Sequence, residues 1–481
     1  MVLPRVREFC HRHYRLLAVA ILAIAAFNLG LRLNSERVEE WDESLYGLSA
    51  WEMVQSGDWI GTTRLGTLDY YNTKPPLNIW LIAASFKAFG TSLLSLRLAS
   101  AVSAWVTVAV LLIWAGRHFG REVGLASGLV LATCYGFVYV HSGKNADTDA
   151  AFTLLLLLTV VTVHAAARRP RMLVWLGPIA AATFLLRGMA VLMPLLLALV
   201  VLIVRGRPET RRLGAMGVAA LLGTAPVAAW VMARWRVDRW AFLEKLFFFD
   251  FIDRTGNVLE GHTGGVLYYL DRLQRYQYDW LGAALTAIVL YPLPWRRIVS
   301  TIPDLRRPES GMRLVLTAWA VVTLAVPTIM QTKLPWYLNP FYPLFALGVA
   351  WVILRGLASD RGRARRMALA CAVVLAAVVA EAKLVWTSYY RRDPSRSVQG
   401  LLLAESVQLR GHAVCRSRWN NAEIFVLDVL IQAERRICRD ASEFARDSRR
   451  GDYFVTTPDV NVDGLVLVRA DAQNALYRRD Y

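Results

Sequence analysis

Charged residues are scarce in this 481-residue chain, where they make up 19% of the sequence against roughly 25% in ordinary soluble domains. Hydrophobic residues make up 56%, and several uncharged runs approach the roughly 20 residues that a helix needs to cross a bilayer. Two such runs are 154–167 and 189–204. The composition excludes an ordinary soluble enzyme and predicts an all-α polytopic membrane protein.

Motifs for nucleotides and zinc are also missing. No spacing of the five cysteines and seven histidines is typical of a zinc site, and no glycine-rich phosphate loop occurs. No small-residue cleavage site follows the basic start, so we expect a retained first span rather than a signal peptide. Cys415 and Cys438 would suit a disulfide in an oxidising compartment, but the sequence leaves their state open.

Positive charge, in contrast, is plentiful, with a formal net charge of +18. The arginines cluster in short segments between apolar runs, which indicates membrane topology rather than binding to nucleic acid. Arginine clusters follow every even-numbered span, which places the N-terminus in the cytoplasm and the C-terminus in the periplasm. About eleven spans are predicted, at 16–33, 95–115, 122–141, 149–167, 172–186, 188–204, 213–233, 280–294, 313–330, 336–354 and 367–386.

The regions outside the membrane concentrate on the periplasmic side. Two outer loops are predicted, at about 34–94 and 234–279, and the first contains a helix at 77–90 suited to the membrane interface. Residues 387–481 alternate strand-like and polar helical pieces, which is typical of a small α/β domain. We therefore predict a transmembrane domain at 1–386 followed by a soluble periplasmic domain.

Ionisable residues on the outer face are the candidates for chemistry. An acid near a helix start is commonly just a cap, and an arginine near a span end can simply reach towards water. The positive-inside rule nevertheless predicts few cations on the outer face, so those that occur there are candidates for a function. Cations bind phosphates and a carboxylate can act as a general base, so either an enzyme acting on an anionic lipid or an anion transporter fits the set. Its members are Asp42, Glu43, Lys74, Asp149, Arg187, Arg254 and Lys333.

The order of these segments resembles the glycosyltransferase family 39 and lipid A aminoarabinose transferase group, which are membrane enzymes of the GT-C type. The resemblance covers roughly residues 35–350. The segments that carry it are "DESLYGLSAWEMVQSGDW", "TKPPLNIWLIAASFKAFG", "DAAFTLLLLL", "LLRGMAVLMPLLL" and "TKLPWYLNPFYPL".

This resemblance implies a glycosyltransferase of the bacterial inner membrane. It would transfer a sugar, hexosyl or pentosyl, from a polyprenyl-phosphate donor to a lipid, glycan or protein acceptor on the periplasmic face. Asp42 would be the general base, with Glu43 beside it and Asp149 supporting the site. The donor phosphate would be bound by Lys74, Arg254 and Tyr337, with Lys333 lining the pocket and Arg187 in the place of a family lysine.

The sequence departs from the family at a position that is involved in metal binding. In the aminoarabinose branch, a glutamate directly before the Lys-Pro-Pro lysine binds a divalent cation together with a loop histidine. This chain has Thr73 at that position, so His262 is the one candidate ligand that the resemblance leaves.

Two other functions remain open at this point. A transporter of lipid-linked sugars or anions would use the same charges, although no internal repeat of the kind common in transporters is visible. A non-catalytic scaffold would use the soluble tail to bind partners.

Overall fold

The computed structural model describes residues 8–204, 210–253, 256–258, 261–292, 311–359, 362–458 and 462–480. These residues form two compact units, each assembled from separate stretches of the chain. The first unit contains residues 1–31, 70–78 and 100–385, and the second contains 32–69, 79–99 and 386–481.

Long apolar helices dominate the chain up to residue 386, because sustained apolar sequence buries its backbone groups best as helix in hydrocarbon. In chain order the helices are α1 (Tyr14–Gly30), α2 (Asp42–Ser56), α3 (Leu77–Phe89), α4 (Leu93–Phe119), α5 (Arg121–Ala132), α6 (Tyr135–Tyr139), α7 (Asp149–Ala166), α8 (Leu176–Arg187), α9 (Leu192–Val204), α10 (Thr210–Asp238), α11 (Ala241–Phe247), α12 (Tyr268–Leu290), α13 (Gly311–Ile329), α14 (Tyr342–Leu357) and α15 (Arg363–Trp386).

Seven helical segments of the described residues are long and apolar enough to cross a membrane, judged by length and composition. They confirm a multi-span membrane protein, while the number eleven stays a prediction. The segments are Leu93–Phe119, Asp149–Ala166, Pro170–Val204, Arg211–Asp238, Gly311–Ile329, Pro335–Leu357 and Arg363–Arg391.

Three of the predicted spans differ from the structure. The span predicted at 122–141 ends as a helix at Ala132, and the short helix α6 follows after a break. The spans predicted at 172–186 and 188–204 lie in one apolar helical segment, interrupted at Gly188. Gly188 has φ +56°, which a residue with a side chain rarely adopts, so the glycine permits the interruption.

The second unit combines outer-loop segments with the tail. Its first part contains α2 and a small antiparallel hairpin of β1 (Thr63–Arg64) and β2 (Thr67–Leu68). The tail adds a mixed sheet with helices between its strands. The remaining helices are α16 (Val398–Ala404), α17 (Ser406–Leu409), α18 (Asn421–Ile424) and α19 (Ala441–Asp447), and the strands are β3 (Ala413–Arg416), β4 (Glu434–Ile437), β5 (Tyr453–Thr456), β6 (Leu465–Ala470) and β7 (Ala475–Arg479).

The sheet has the strand order β4-β3-β5-β7-β6. β3 is parallel to both of its neighbours, whereas β7 is antiparallel to β5 and β6. The small α/β fold predicted for the tail is thus present. A disulfide joins Cys415 on β3 to Cys438 just after β4, with the two Cα atoms 5.8 Å apart.

Candidate functional site

A buried loop between α6 and α7, residues 140–148, forms the centre of the candidate site in the first unit. Its backbone turns sharply at His141, which has φ +47°. The carbonyl of Val140 accepts a hydrogen bond from Asn339 Nδ2 (2.9 Å). The backbone N–H of Lys144 donates to the carbonyl of Val138 (3.0 Å). These contacts fix the loop against α6 and the segment that precedes α14.

His141 and Asp147 form a close pair within this loop. His141 Nδ1 lies 2.6 Å from Asp147 Oδ2, and the imidazole stacks on the Trp336 ring with centroids 3.7 Å apart. Burial alone would raise the pKa of Asp147, but the hydrogen bond from His141 and the charges of His141, Arg187 and Lys74 together lower that pKa. Asp147 is therefore an ionised carboxylate with three basic groups around it.

Asp149 and Arg187 make a second pair two residues further along. Asp149 is the first residue of α7, and Arg187 is the last residue of α8, just before the interruption at Gly188. Arg187 Nη1 donates a hydrogen bond to Asp149 Oδ1. The side chains are 11% and 1% exposed, so the ion pair is almost fully buried. Asp149 Oδ2 has no hydrogen-bond partner among the described residues.

Tyr337 lies beside the same arginine. The Arg187 guanidinium is 5.7 Å from the centre of the Tyr337 ring and 5.4 Å from that of Phe152. The two aromatic faces and Asp149 therefore hold the guanidinium in one position, since aromatic faces attract cations.

Lys74 lies three residues before α3. Pro75 and Pro76 cannot continue a preceding helix but suit the first turn of the next one, which explains why α3 begins here. Asn78 Nδ2 on α3 donates to the carbonyl of Ala146 in the central loop (3.1 Å). Lys74 is half-buried, and its ammonium makes no ion pair or hydrogen bond with the described residues. Its charge acts on the nearby Asp147.

Lys333 lies in a different setting, at the end of α13. Its ammonium donates to the carbonyls of Pro327 (3.2 Å) and Thr328 in the last turn of that helix and to the carbonyl of Met330 just after it. Burial lowers the pKa of Lys333. Its backbone N–H donates to the carbonyl of His262 (3.0 Å), which ties the outer loop to α13. Lys333 thus has a structural role in addition to its charge.

The second unit contains the other two predicted acids. Glu43 is 2% exposed and accepts hydrogen bonds from Arg97 Nε (2.7 Å), Arg97 Nη2 (3.1 Å) and the Glu39 N–H (2.8 Å). Burial would raise the pKa of Glu43, but Arg97 lowers it. Asp42, the first residue of α2, is half-buried and makes no hydrogen bond within the described part of its unit. Of the two acids, Asp42 is the one whose carboxylate is available.

The two positions that the resemblance relates to a metal do not form a site by themselves. Thr73 is 2% exposed and offers a neutral hydroxyl where a carboxylate would be needed. His262 adds one imidazole at most, and divalent cations in proteins are held by several N, O or S ligands. This pair alone does not make a divalent site. Arg254 lies outside the described residues.

Three functional candidates were missed in the sequence: His141, Trp336 and Arg97 were not assigned a role. Arg97 did carry a signal, because an arginine inside an apolar helix needs a buried partner. His141 and Trp336 carried none, since they are almost two hundred residues apart and only the folded chain stacks them.

Comparison with known proteins adds sequence relatives. Residues 73–230 match the dolichyl-phosphate-mannose-protein mannosyltransferase family. The undecaprenyl phosphate-alpha-4-amino-4-deoxy-L-arabinose arabinosyl transferase of Pseudomonas savastanoi pv. phaseolicola is 28% identical over 74% of this chain and 64% of its own length. The protein of that description from Pseudomonas aeruginosa (strain UCBPP-PA14) is 31% identical over 62% of this chain and 52% of its own length. The chain therefore spans about half to two thirds of the length of these relatives.

Solved structures show the same fold. The crystal structure of ArnT from Cupriavidus metallidurans bound to undecaprenyl phosphate superposes with a TM-score of 0.69 at 16% identity, over 97% of this chain and 98% of that one. The Archaeoglobus fulgidus oligosaccharyltransferase superposes with a TM-score of 0.52 at 13% identity, over 88% of this chain and 62% of that one. At these identities the likeness shows the GT-C fold alone.

Proposed function

The chain belongs to the glycosyltransferase family 39 and aminoarabinose-transferase-like group, and from that premise we propose that it transfers a sugar from undecaprenyl phosphate or a similar polyprenyl phosphate. The acceptor is a lipid, glycan or protein, with lipid A the first candidate because the group that the sequence resembles is named for it. The reaction takes place on the periplasmic face of the inner membrane, with the N-terminus in the cytoplasm, eleven spans and the tail in the periplasm.

The observation that supports this proposal best is that Lys74 makes no ion pair with the described residues. Arg187 and Asp149 neutralise each other, and Asp147 is paired with His141, whereas Lys74 is a half-buried cation without an ion pair in the described residues. A phosphate at the membrane surface would form the direct ion pair that Lys74 does not make with the nearby Asp147. Pro75 and Pro76 set Lys74 just before an apolar helix, where the headgroup of a lipid carrier lies.

The chemistry is displacement at the anomeric carbon. The acceptor hydroxyl gives its proton to Asp42 while its oxygen bonds to that carbon, and the bond from the carbon to the phosphate oxygen breaks. Negative charge then builds on the polyprenyl phosphate that leaves. Lys74 and Lys333, with Arg254 and the Tyr337 hydroxyl, stabilise that charge, and such stabilisation is usually a large part of catalysis.

Arg187 and Asp149 have a supporting role in this scheme. The guanidinium keeps one fixed N–H direction because Asp149, Phe152 and Tyr337 surround it. The unpartnered Asp149 Oδ2 can accept a hydrogen bond from a sugar hydroxyl or amine. Glu43 holds α2 in place through Arg97 and so presents Asp42.

The test is transfer from a defined polyprenyl-phosphate sugar in membranes that contain the full chain. We expect Asp42→Asn and Lys74→Ala to lower the transfer rate about a hundredfold or more, as loss of a base or of a group that stabilises developing charge does. The matched controls are Glu40→Gln, an exposed acid two residues before Asp42, and Lys87→Ala, an exposed cation on α3. Both controls should retain the wild-type rate.

Wild-type rates in both the Asp42 and the Lys74 variants would rule out the assigned site. Movement of a lipid-linked sugar across the membrane with no glycosylated product would instead support a transporter.

A further inference from the structure

A groove on the first unit shares no lining residue with the candidate site. It is lined by Ala23, Ile24 and Phe27 on α1, by Leu129 on α5 and Thr133 just after it, and by Ala377, Val378 and Glu381 on α15. Its volume is about 510 Å³. Phe27 and Val378 at its rim are 54% and 60% exposed, so the groove opens sideways towards the lipid.

One end of this groove is polar. Asn28, next to Phe27 on α1, is 2% exposed, and its Nδ2 donates to Glu381 Oε2 (3.0 Å) and to the Ala132 carbonyl (3.2 Å). Both partners are acceptors, which fixes the orientation of the amide and uses both of its protons. Asn28 Oδ1 is then left without a partner among the described residues.

Glu381 lacks a counter-ion. Asn28 is the hydrogen-bond donor to its carboxylate, and no lysine, arginine or histidine of the described residues forms an ion pair with it. Ionisable groups within spanning helices are costly and are retained beside a partner or a ligand. Glu381 Oε1 accepts no hydrogen bond from the described residues, so the missing partner must be a hydrogen-bond donor.

The depth of the polar end matches a lipid headgroup. Asn28 is two residues before Gly30, the end of α1, which is about 3 Å along the helix axis. An amphiphile with its apolar chain along Ala23, Leu129 and Val378 would have its polar end at Glu381.

We propose that this groove binds an aminophospholipid, with one acyl chain in the groove and the primary ammonium donating to the Glu381 carboxylate, which Asn28 holds in place. The volume is within the roughly 300–1,000 Å³ of sites that hold a single small molecule. It would accommodate only about one turn of a partner helix, whose diameter with side chains is roughly 10–12 Å. A choline headgroup has no N–H and cannot make these bonds.

The experiment measures lipid binding to the purified full chain in detergent, by native mass spectrometry during titration with palmitoyl-oleoyl phosphatidylethanolamine or phosphatidylcholine. Wild type should retain one phosphatidylethanolamine about tenfold more tightly than phosphatidylcholine. Glu381→Gln, which keeps the shape of the side chain, should abolish that preference. Ala377→Trp, which fills the groove and leaves Glu381 intact, should abolish retention of either lipid.

The control variant is Val374→Gln, at a 63% exposed position of α15 that does not line the groove, and it should bind both lipids as wild type does. Unchanged preference in Glu381→Gln, or unchanged binding in Ala377→Trp, would overturn the proposal. So would equal binding of phosphatidylglycerol, which would indicate recognition of a phosphate, or a co-purified protein that occupies the groove in place of lipid. None of these readings uses sugar transfer, so the outcome is independent of the proposed activity.

Discussion

Arg187 is the residue that the sequence resemblance puts in the place of a family lysine. Its bond to Asp149 is nearly fully buried, and two aromatic rings flank the guanidinium. The pairing of the two residues was not readable from the sequence, because they lie on different helices, α7 and α8. Both were nevertheless identified as candidates, since each is a charge at the edge of an apolar run.

The first prediction concerns this pair. Arg187→Met should lower the transfer rate by about 100- to 1,000-fold, because it removes a fixed donor and leaves Asp149 buried without its cation. Arg187→Lys keeps the charge but not the planar guanidinium, and its transfer rate should fall only about tenfold. Measurement of kcat and KM for the donor checks both variants. If Met and Lys have the same effect, the charge at this position is irrelevant to transfer.

Glu43 and Arg97 are the corresponding buried pair of the second unit. Glu43→Gln should destabilise the protein by about 3–5 kcal/mol, because it removes the carboxylate that is bonded to the buried Arg97 charge. The double variant Glu43→Met/Arg97→Met should cost less than Glu43→Gln alone. Thermal unfolding of the detergent-solubilised protein measures the difference. If the double variant lost as much stability as the two single variants together, this account would be wrong.

The same pair gives a pH dependence. The pKa of Glu43 is lowered in the folded state. The ionised side chain therefore contributes fully to the stability of the fold above the ordinary glutamate pKa of about 4.3, and this contribution is lost as the pH falls through the folded-state pKa. The stability difference between wild type and Glu43→Gln should therefore shrink in acid. A difference that stays constant from neutral pH to pH 3 would contradict the assignment.

At the scale of the element, small residues decide how closely two helices approach. A Cβ added to Gly177 on α8 would lie 2.1 Å from the carbonyl oxygen of Ala219 on α10. Close backbone approach of this kind is typical of helix pairs in membranes, where burial of apolar surface from water does not drive association.

Gly177→Ala should therefore destabilise the protein by about 1–3 kcal/mol, since the two backbones must separate. Gly217→Ala, on α10 with open space around it, should be neutral or stabilising by up to about 1 kcal/mol, because alanine is the better helix former. Unfolding midpoints in detergent compare the two. Equal shifts would show that the contact between α8 and α10 does not limit stability.

The bounds of the helices show how much of the fold can be predicted from the sequence alone. Length and hydropathy located α4, α7, α13 and α15, because a long apolar run has one stable form in a bilayer. They did not find the end of α5 at Ala132, since the apolar sequence continues past it. α12 begins at Tyr268, twelve residues before the predicted span, because its first turns are polar enough to resemble a loop.

At the scale of the whole molecule, the tail is part of a larger unit. Gln399 on α16 accepts from the Val38 N–H (2.8 Å) and donates to the Val38 carbonyl (2.9 Å). Ser388 donates to Glu36 (2.7 Å), and the Arg37 N–H donates to the Arg392 carbonyl (3.0 Å). The chain just before Asp42 is thus held by residues of the tail. Composition predicted a separate domain for 387–481. The hydrogen bonds to residues 36–38 could not be predicted, because pairings between distant residues leave no pattern in the local sequence.

Gln399→Leu should lower the transfer rate, since it leaves two buried backbone groups of Val38 unpaired at a cost of about 1–3 kcal/mol each and loosens the segment that leads into α2. Gln408→Leu, at an exposed position of α17, should have no effect. Transfer assays compare the two variants with a chain truncated after residue 386, which should be inactive. Full activity of the truncated chain would show that the tail does not support the proposed base.

The discontinuous make-up of the second unit sets an order for its biosynthesis. Residues 32–69 leave the ribosome early, but the tail that completes their unit follows nearly three hundred residues of the first unit. At roughly 5–20 residues per second, translation leaves the early loop incomplete for tens of seconds. Asp42 therefore acquires its final surroundings only after the last helices have been inserted and Cys415 has met Cys438. A nascent chain halted before the tail would contain every proposed phosphate ligand but no finished base, and so would not begin transfer before its synthesis ends.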